Sequence, residues 1–153
     1  MKAKESIEPY YNSKITNSII RFKRDLSRSR ILAIQKKYNE SFQSYQEALD
    51  SLQESNSNQI SENEGNLCLE IAKIIEQGSK SIQNYKEKAS EYYMRAHKIF
   101  LQIGDKESAN NVDLNKLPRE YQNELKSKNS NEDKDSIDED DHLLSIPLNP
   151  EKN

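Results

Sequence analysis

YNESFQSYQEALDSL, residues 38–52, carries Ser41, Tyr45 and Ala48 at spacings of four and three, and the trio returns further along as Ala89, Tyr93 and Ala96. Residues three and four apart share one face of a helix, so each trio sets a ring between two small side chains. Small side chains let a second helix approach closely, and the ring fills the groove beside them. The spacing predicts an all-α chain of antiparallel helical hairpins. Ser41, Tyr45, Ala48, Ala89, Tyr93 and Ala96 are its expected packing residues.

The surrounding composition agrees. All four prolines lie outside residues 10–117, and that interval holds only three glycines, so about a hundred residues lack the usual helix breakers. Upstream of the quoted stretch, Ile15, Ile19, Phe22, Leu26, Ser29 and Ala33 form one stripe, with Leu32 and Ile34 broadening its far end. This predicts an N-terminal extension over 1–13, a helix over about 14–37, a tight link, and a second helix over about 39–54. After the polar run ESNSNQISENEGN, Ile71, Ile75, Gly78, Ile82, Tyr85, Ala89, Tyr92, Ala96, Ile99 and Ile103 keep one phase. The phase admits two structures. One is a second hairpin, 62–77 and 80–103, turning at EQGSKS; the other is a single helix of about 40 residues whose overhang would pair with a second copy as a coiled coil. A capping helix is expected over about 116–127, closing a domain of 14–126. Residues 127–153 read as a disordered acidic tail.

Charge is segregated along the chain. Net charge is only −3, yet residues 14–37 hold eight bases against Asp25, and residues 131–141 hold seven acids against Lys134. Arg21, Arg24 and Arg28 form one row on the first helix, the outer face of a hairpin or a steering surface for an acidic partner. Nucleic acid or an anionic membrane is the weaker alternative for that row. A flexible acidic tail would compete for the same helix in cis.

Little in the sequence points to catalysis. His97 and His142 have no metal-ligating neighbour at a useful spacing, and Cys68 has no second thiol, which leaves it a small apolar filler. No glycine-rich phosphate loop is present. The expectation is a non-enzymatic, cofactor-free protein-binding module. With no apolar run of about 20 residues and no secretory leader pattern, it is expected to be soluble and cytoplasmic. Its partner would be a helix or peptide, with a homodimer as the alternative. The groove between hairpins is expected to expose Tyr85, Tyr92 and Arg95, although the long stripe buries Tyr92 and the trio buries Tyr93.

Two families share these residues. YNESFQSYQEALDSL resembles the second helix of a tetratricopeptide hairpin, and KASEYYMRAHKIFLQIGDKESA, residues 88–109, resembles that helix with its exit turn. Ser29, Leu32, Ser41, Tyr45 and Ala48 fit the repeat's alternation of small and large positions. Asp25 and Arg28 replace its usual aromatic and leucine, and Gln53 replaces its terminal proline. In the second unit Leu67, Cys68 and Ile71 fit only after an insertion of about nine residues in a 34-residue repeat. The same helices are similar to those of the microtubule-interacting-and-trafficking domain, which implies an adaptor in membrane trafficking or autophagy. DDHLL, with Asp140, Leu143 and Leu144, resembles an acidic dileucine sorting signal.

Overall fold

A computed structural model describes residues 2–56 and 61–129, with side chains from Ser13 onward. The chain divides into two units, Met1–Leu117 and Pro118–Asn153. The first unit contains α1 (Lys2–Ile34), α2 (Tyr38–Ser55), α3 (Glu62–Gln77), α4 (Tyr85–Gln102), α5 (Lys106–Asn111) and a 3-10 turn at Leu114–Lys116. The described part of the second unit is one helix, α6, over residues 119–129, and no strand occurs among the described residues.

Within the first unit α1 packs on α2, α2 on α3, α3 on α4, and α4 on α5. The chain is therefore two antiparallel hairpins, and the core lies among α2, α3 and α4. Its largest fully buried side chains are Tyr45, Phe100, Ile71 and Ile75, with the Cys68 thiol beside them. Phe42 of α2 meets Tyr92 of α4 edge to face, 6.0 Å between ring centres. That contact ties the hairpins together without α1.

The 62–103 region turns. α3 stops at Gln77, residues 78–84 form a turn, and α4 starts at Tyr85 rather than near residue 80. The single long helix, and with it the overhang that would have paired as a coiled coil, is excluded. The turn needs a glycine at its start: a Cβ on Gly78 would stand 2.4 Å from the Tyr38 Cβ. Tyr38 begins α2, so the α3–α4 turn packs directly on the start of the quoted helix. Asn39 Nδ2 fixes the approach by donating to the Ser81 carbonyl at 2.8 Å.

Two further boundaries differ from expectation. α1 begins at Lys2, so residues 1–13 are mostly helix and not a separate extension. Pro9 removes one backbone donor without ending the helix. The helix expected over about 116–127 is present as α6 but starts at residue 119, since Pro118 forces the residue before it out of the helical region, and α5 and the 3-10 turn precede it. α1 and α4 end in the same pair of bonds. Lys37 N donates to Leu32 O and Lys36 N to Ala33 O, while Asp105 N donates to Phe100 O and Gly104 N to Leu101 O. This is the helix stop with a left-handed residue after the last turn. Gly104 takes that conformation freely at φ 81, whereas Lys36 at φ 62 bears its Cβ cost. The start of α3 is capped by Ser61, whose hydroxyl accepts from the Glu64 N–H. Residues 127–129 of the expected tail belong to α6; the rest of the tail and DDHLL lie outside the described residues.

Candidate interaction site

α1 is attached in an unusual way. Among its residues from Ser13 on, the only fully buried ones are Ser18, Asp25 and Ser29, and none is apolar. The Asp25 and Ser29 carbonyls accept hydrogen bonds from α2 across the seam. Ser41 Oγ donates to the Ser29 carbonyl at 2.8 Å and Ser44 Oγ to the Asp25 carbonyl at 3.1 Å. Ser29 Oγ folds back on the Asp25 carbonyl at 2.6 Å. Such bonds require the backbones to lie close, which only small side chains permit. The expected stripe is thus displaced: Ile19 points outward, and the seam runs along Ser18, Asp25 and Ser29. Asp25, where an aromatic would have fitted the repeat pattern, turns its carboxylate inward, with Arg24 Nε 3.5 Å away.

The tyrosines of the two trios have parallel settings. The Tyr45 hydroxyl donates to Glu70, and Arg30 of α1 grips the same carboxylate with two bonds of 2.9 Å. The Tyr93 hydroxyl donates to Glu76, which Lys116 reaches at 3.1 Å while its ammonium lies 5.2 Å from the Tyr93 ring centre. Burial, then the neighbouring carboxylate, pushes both hydroxyls up, Tyr93 to about 12. Burial also acts to raise Glu70, but hydrogen bonds from Arg30 and Tyr45 outweigh it and hold the carboxyl below its ordinary value. Both glutamates lie on α3, so these two clusters clamp that helix between its neighbours. Neither glutamate was singled out from the sequence. Their spacing of six gives no face pattern that would reveal them.

The outer face of α1 is the opposite of its inner one. Ile20, Arg24, Ser27, Ile31 and Ile34 run at spacings of four and three along a row about 180° from the serine seam, and every one is exposed. The isoleucines are 57%, 55% and 80% exposed. Isolated exposed apolar residues are ordinary, whereas these three isoleucines share one face of α1. Its flanks are basic. Arg28 lies beside the row and Lys23 opposite, and the only acid between residues 13 and 37 is the buried Asp25.

The other expected site residues are scattered. Arg21, Arg24 and Arg28 are exposed, and Arg21 is committed to Glu54 at 2.9 Å and to Ser18 at 3.1 Å. Tyr92 and Tyr93 are both buried, so Tyr92, at 7% exposure, is not the exposed groove residue expected. It forms, with Phe42, the floor of an open cleft of about 470 Å³ between α2 and α4, rimmed by Gln43, Gln46, Lys88 and Glu91. Arg95 is half-buried, its guanidinium 5.1 Å from the Tyr92 ring centre. Tyr85 belongs to a different cleft, about 190 Å³, with Glu76, Tyr93 and Lys116. Tyr85 and Tyr92 therefore do not share one groove. Ser41, Tyr45, Ala48, Ala89 and Ala96 are buried at helix contacts. Burial pushes the Cys68 thiol up to about 11, in the core.

Among the described residues no group of three or more His, Cys, Asp or Glu is placed to hold a metal ion, and no helix is long and apolar enough to cross a membrane. Comparison with family models, curated proteins and solved structures matches none of them.

Proposed function

We propose that this chain is a non-enzymatic interaction module that binds an amphipathic helix or peptide of acidic character along the outer face of α1. The observation that carries the reading is the two-sidedness of α1. One side is fixed to α2 through serines, and the other presents Ile20, Ile31 and Ile34 to solvent. Full burial of an isoleucine is worth about 1.5–3 kcal/mol, so covering three largely exposed ones offers several kcal/mol of gross driving force before ordering costs. Arg24, Arg28 and Lys23 would steer an acidic partner and repel a basic one. The resemblance to tetratricopeptide hairpins supports a binding role, as does that to the microtubule-interacting-and-trafficking domain, which would make the chain a trafficking adaptor.

A designed helical peptide with leucines at spacings of four and three and glutamates beside them tests the reading. Titrated into isotope-labelled protein, it should shift the methyl signals of Ile20, Ile31 and Ile34 and leave those of Ile71 and Ile75 in place. Ile31→Gln combined with Ile34→Gln should weaken binding at least tenfold without lowering the unfolding midpoint. A peptide that binds the variant as tightly as the wild type sinks the reading.

A further inference from the structure

We infer that the partner of the α1 face carries a carboxylate within its own apolar stripe, seated on Arg24, so that one covered ion pair sets where along α1 it docks. The inference rests on reading that face as a docking surface, and it concerns which partner the face accepts. Arg24 stands in the row itself, four residues after Ile20 and seven before Ile31, with Ser27 next to it. Lys23 and Arg28 lie to its sides. A helix laid along the isoleucines covers Arg24 and leaves those two at its wet edges. Arg24 is only loosely held within the chain. Its side chain is 69% exposed, and its one ion pair among the described residues, Nε to the Asp25 carboxylate at 3.5 Å, is longer than a hydrogen bond. Arg21 and Arg30, on the sides of α1, are instead engaged at 2.9 Å by Glu54 and Glu70.

A guanidinium taken out of water without a partner charge is costly, whereas a charge at a solvated edge is not. A leucine set over Arg24 would leave it covered and unpaired. A glutamate in that place accepts two parallel bonds from the guanidinium fork. Ser27, small and about one turn on, lets the two helices draw close beside the pair. Along the face, Arg24 lies about 6 Å after Ile20 and Ile31 about 10 Å beyond Arg24. The complement is therefore an apolar residue, an acid one turn away and an apolar pair two turns further. A slip of one turn would set the acid on Ile20 or Ser27 and a leucine on Arg24, so the pair fixes register as a single polar core position does in a coiled coil. Charge also decides against a second copy seated face to face on α1. It would bring bases to bases, since the one acid of residues 13–37 is buried in the serine seam.

Two designed helical peptides of identical composition test this. Both carry leucines at the positions facing Ile20, Ile31 and Ile34. One has a glutamate facing Arg24 and a leucine on its back, and the other exchanges the two, so net charge is the same. Each is made in both chain orders, because the acid lies off centre in the stripe. Titrated into the isotope-labelled full chain, the glutamate-in-stripe peptide should, in its better order, bind about tenfold more tightly than its isomer of that order. Arg24→Leu should abolish or invert the preference, while Arg28→Leu, at the edge, should weaken both peptides alike and keep it. Isomers that shift the Ile31 and Ile34 methyl signals of the wild type with equal affinity overturn the inference and leave the docking face standing. Peptides that shift neither signal in either order overturn the docking face, and the inference with it. The wild-type comparison needs no variant, so a folding defect in Arg24→Leu does not blunt it. Without peptide the same signals should be unchanged by tenfold dilution; a change would put a second copy on the face and overturn the inference.

Discussion

The two hairpins are joined by opposite means. The α3–α4 seam is apolar, with Leu67, Cys68, Ile71, Ile75, Ala89, Tyr93, Ala96 and Phe100 all buried. The α1–α2 seam is polar on the α1 side, where Ser18, Asp25 and Ser29 are the residues that reach full burial. An apolar seam draws its strength from area removed from water. A serine seam draws it from close approach and hydrogen bonds, each worth about 0.5–1.5 kcal/mol net. The apolar core is thus concentrated in α2, α3 and α4, and α1 adds to it only half-buried apolar side chains.

Core deletions should break this contrast most visibly. Ile71→Ala removes a fully buried side chain between helices and should cost about 2–5 kcal/mol. Leu26→Ala, at a half-buried position of α1, should cost roughly 1 kcal/mol, since only part of the transfer energy is at stake. Urea denaturation measures both. Equal costs would mean that α1 is as much a core helix as α3.

The serine seam is tested by size against chemistry. Ser41→Leu forces the helices apart and should cost about 1–3 kcal/mol. Ser41→Ala keeps the spacing, and should cost about 0.5–1.5 kcal/mol for the bond to the Ser29 carbonyl. If alanine proves as damaging as leucine, hydrogen bonding and not close approach sets the seam.

Acid and alkali should loosen different joints. Glu70 is held below its ordinary value, so its contribution is present above about pH 4.5 and is lost as the pH falls through its lowered value. Acid therefore weakens the Arg30–Glu70–Tyr45 cluster that ties α1 to α3. Cys68 and Tyr93 are raised from 9.0 and 10.0 to about 11 and about 12. Their contributions are complete below those ordinary values and are lost as the pH rises through 11 to 12. Thermal unfolding midpoints should therefore fall at both ends. Hydrogen exchange at the acid end should rise first in α1, and at the alkaline end in α3 and α4.

The sequence exposed the hairpins more readily than the face. The recurring trio placed Ser41, Tyr45, Ala48, Ala89, Tyr93 and Ala96, because small and large side chains at spacings of three and four report helix packing directly. The same periodicity placed Ser29 but misled elsewhere on α1, where Ile19 is exposed and Ser18 and Asp25, outside the expected stripe, are buried. Hydrophobic patterning cannot see a seam made by hydroxyls bonded to carbonyls. It was blind to the turn at Gly78 for another reason. The phase of apolar residues passed through it unbroken, and the close approach of Tyr38 that requires a glycine there comes from forty residues away in sequence. Asp25 looked like a departure from a repeat and is the centre of the seam.

The smallest expected change in stability is the most informative about function. Ile20→Gln, Ile31→Gln and Ile34→Gln replace exposed side chains with polar ones of helix-forming type, and each should shift stability by no more than about 0.5 kcal/mol. An isoleucine that merely covered the fold would cost more when replaced, as Leu26 should. If the three together leave the denaturation curve unchanged while the acidic peptide no longer binds, the inner and outer faces of α1 serve separate ends. If instead the triple variant loses several kcal/mol, the isoleucines are covered within the folded chain.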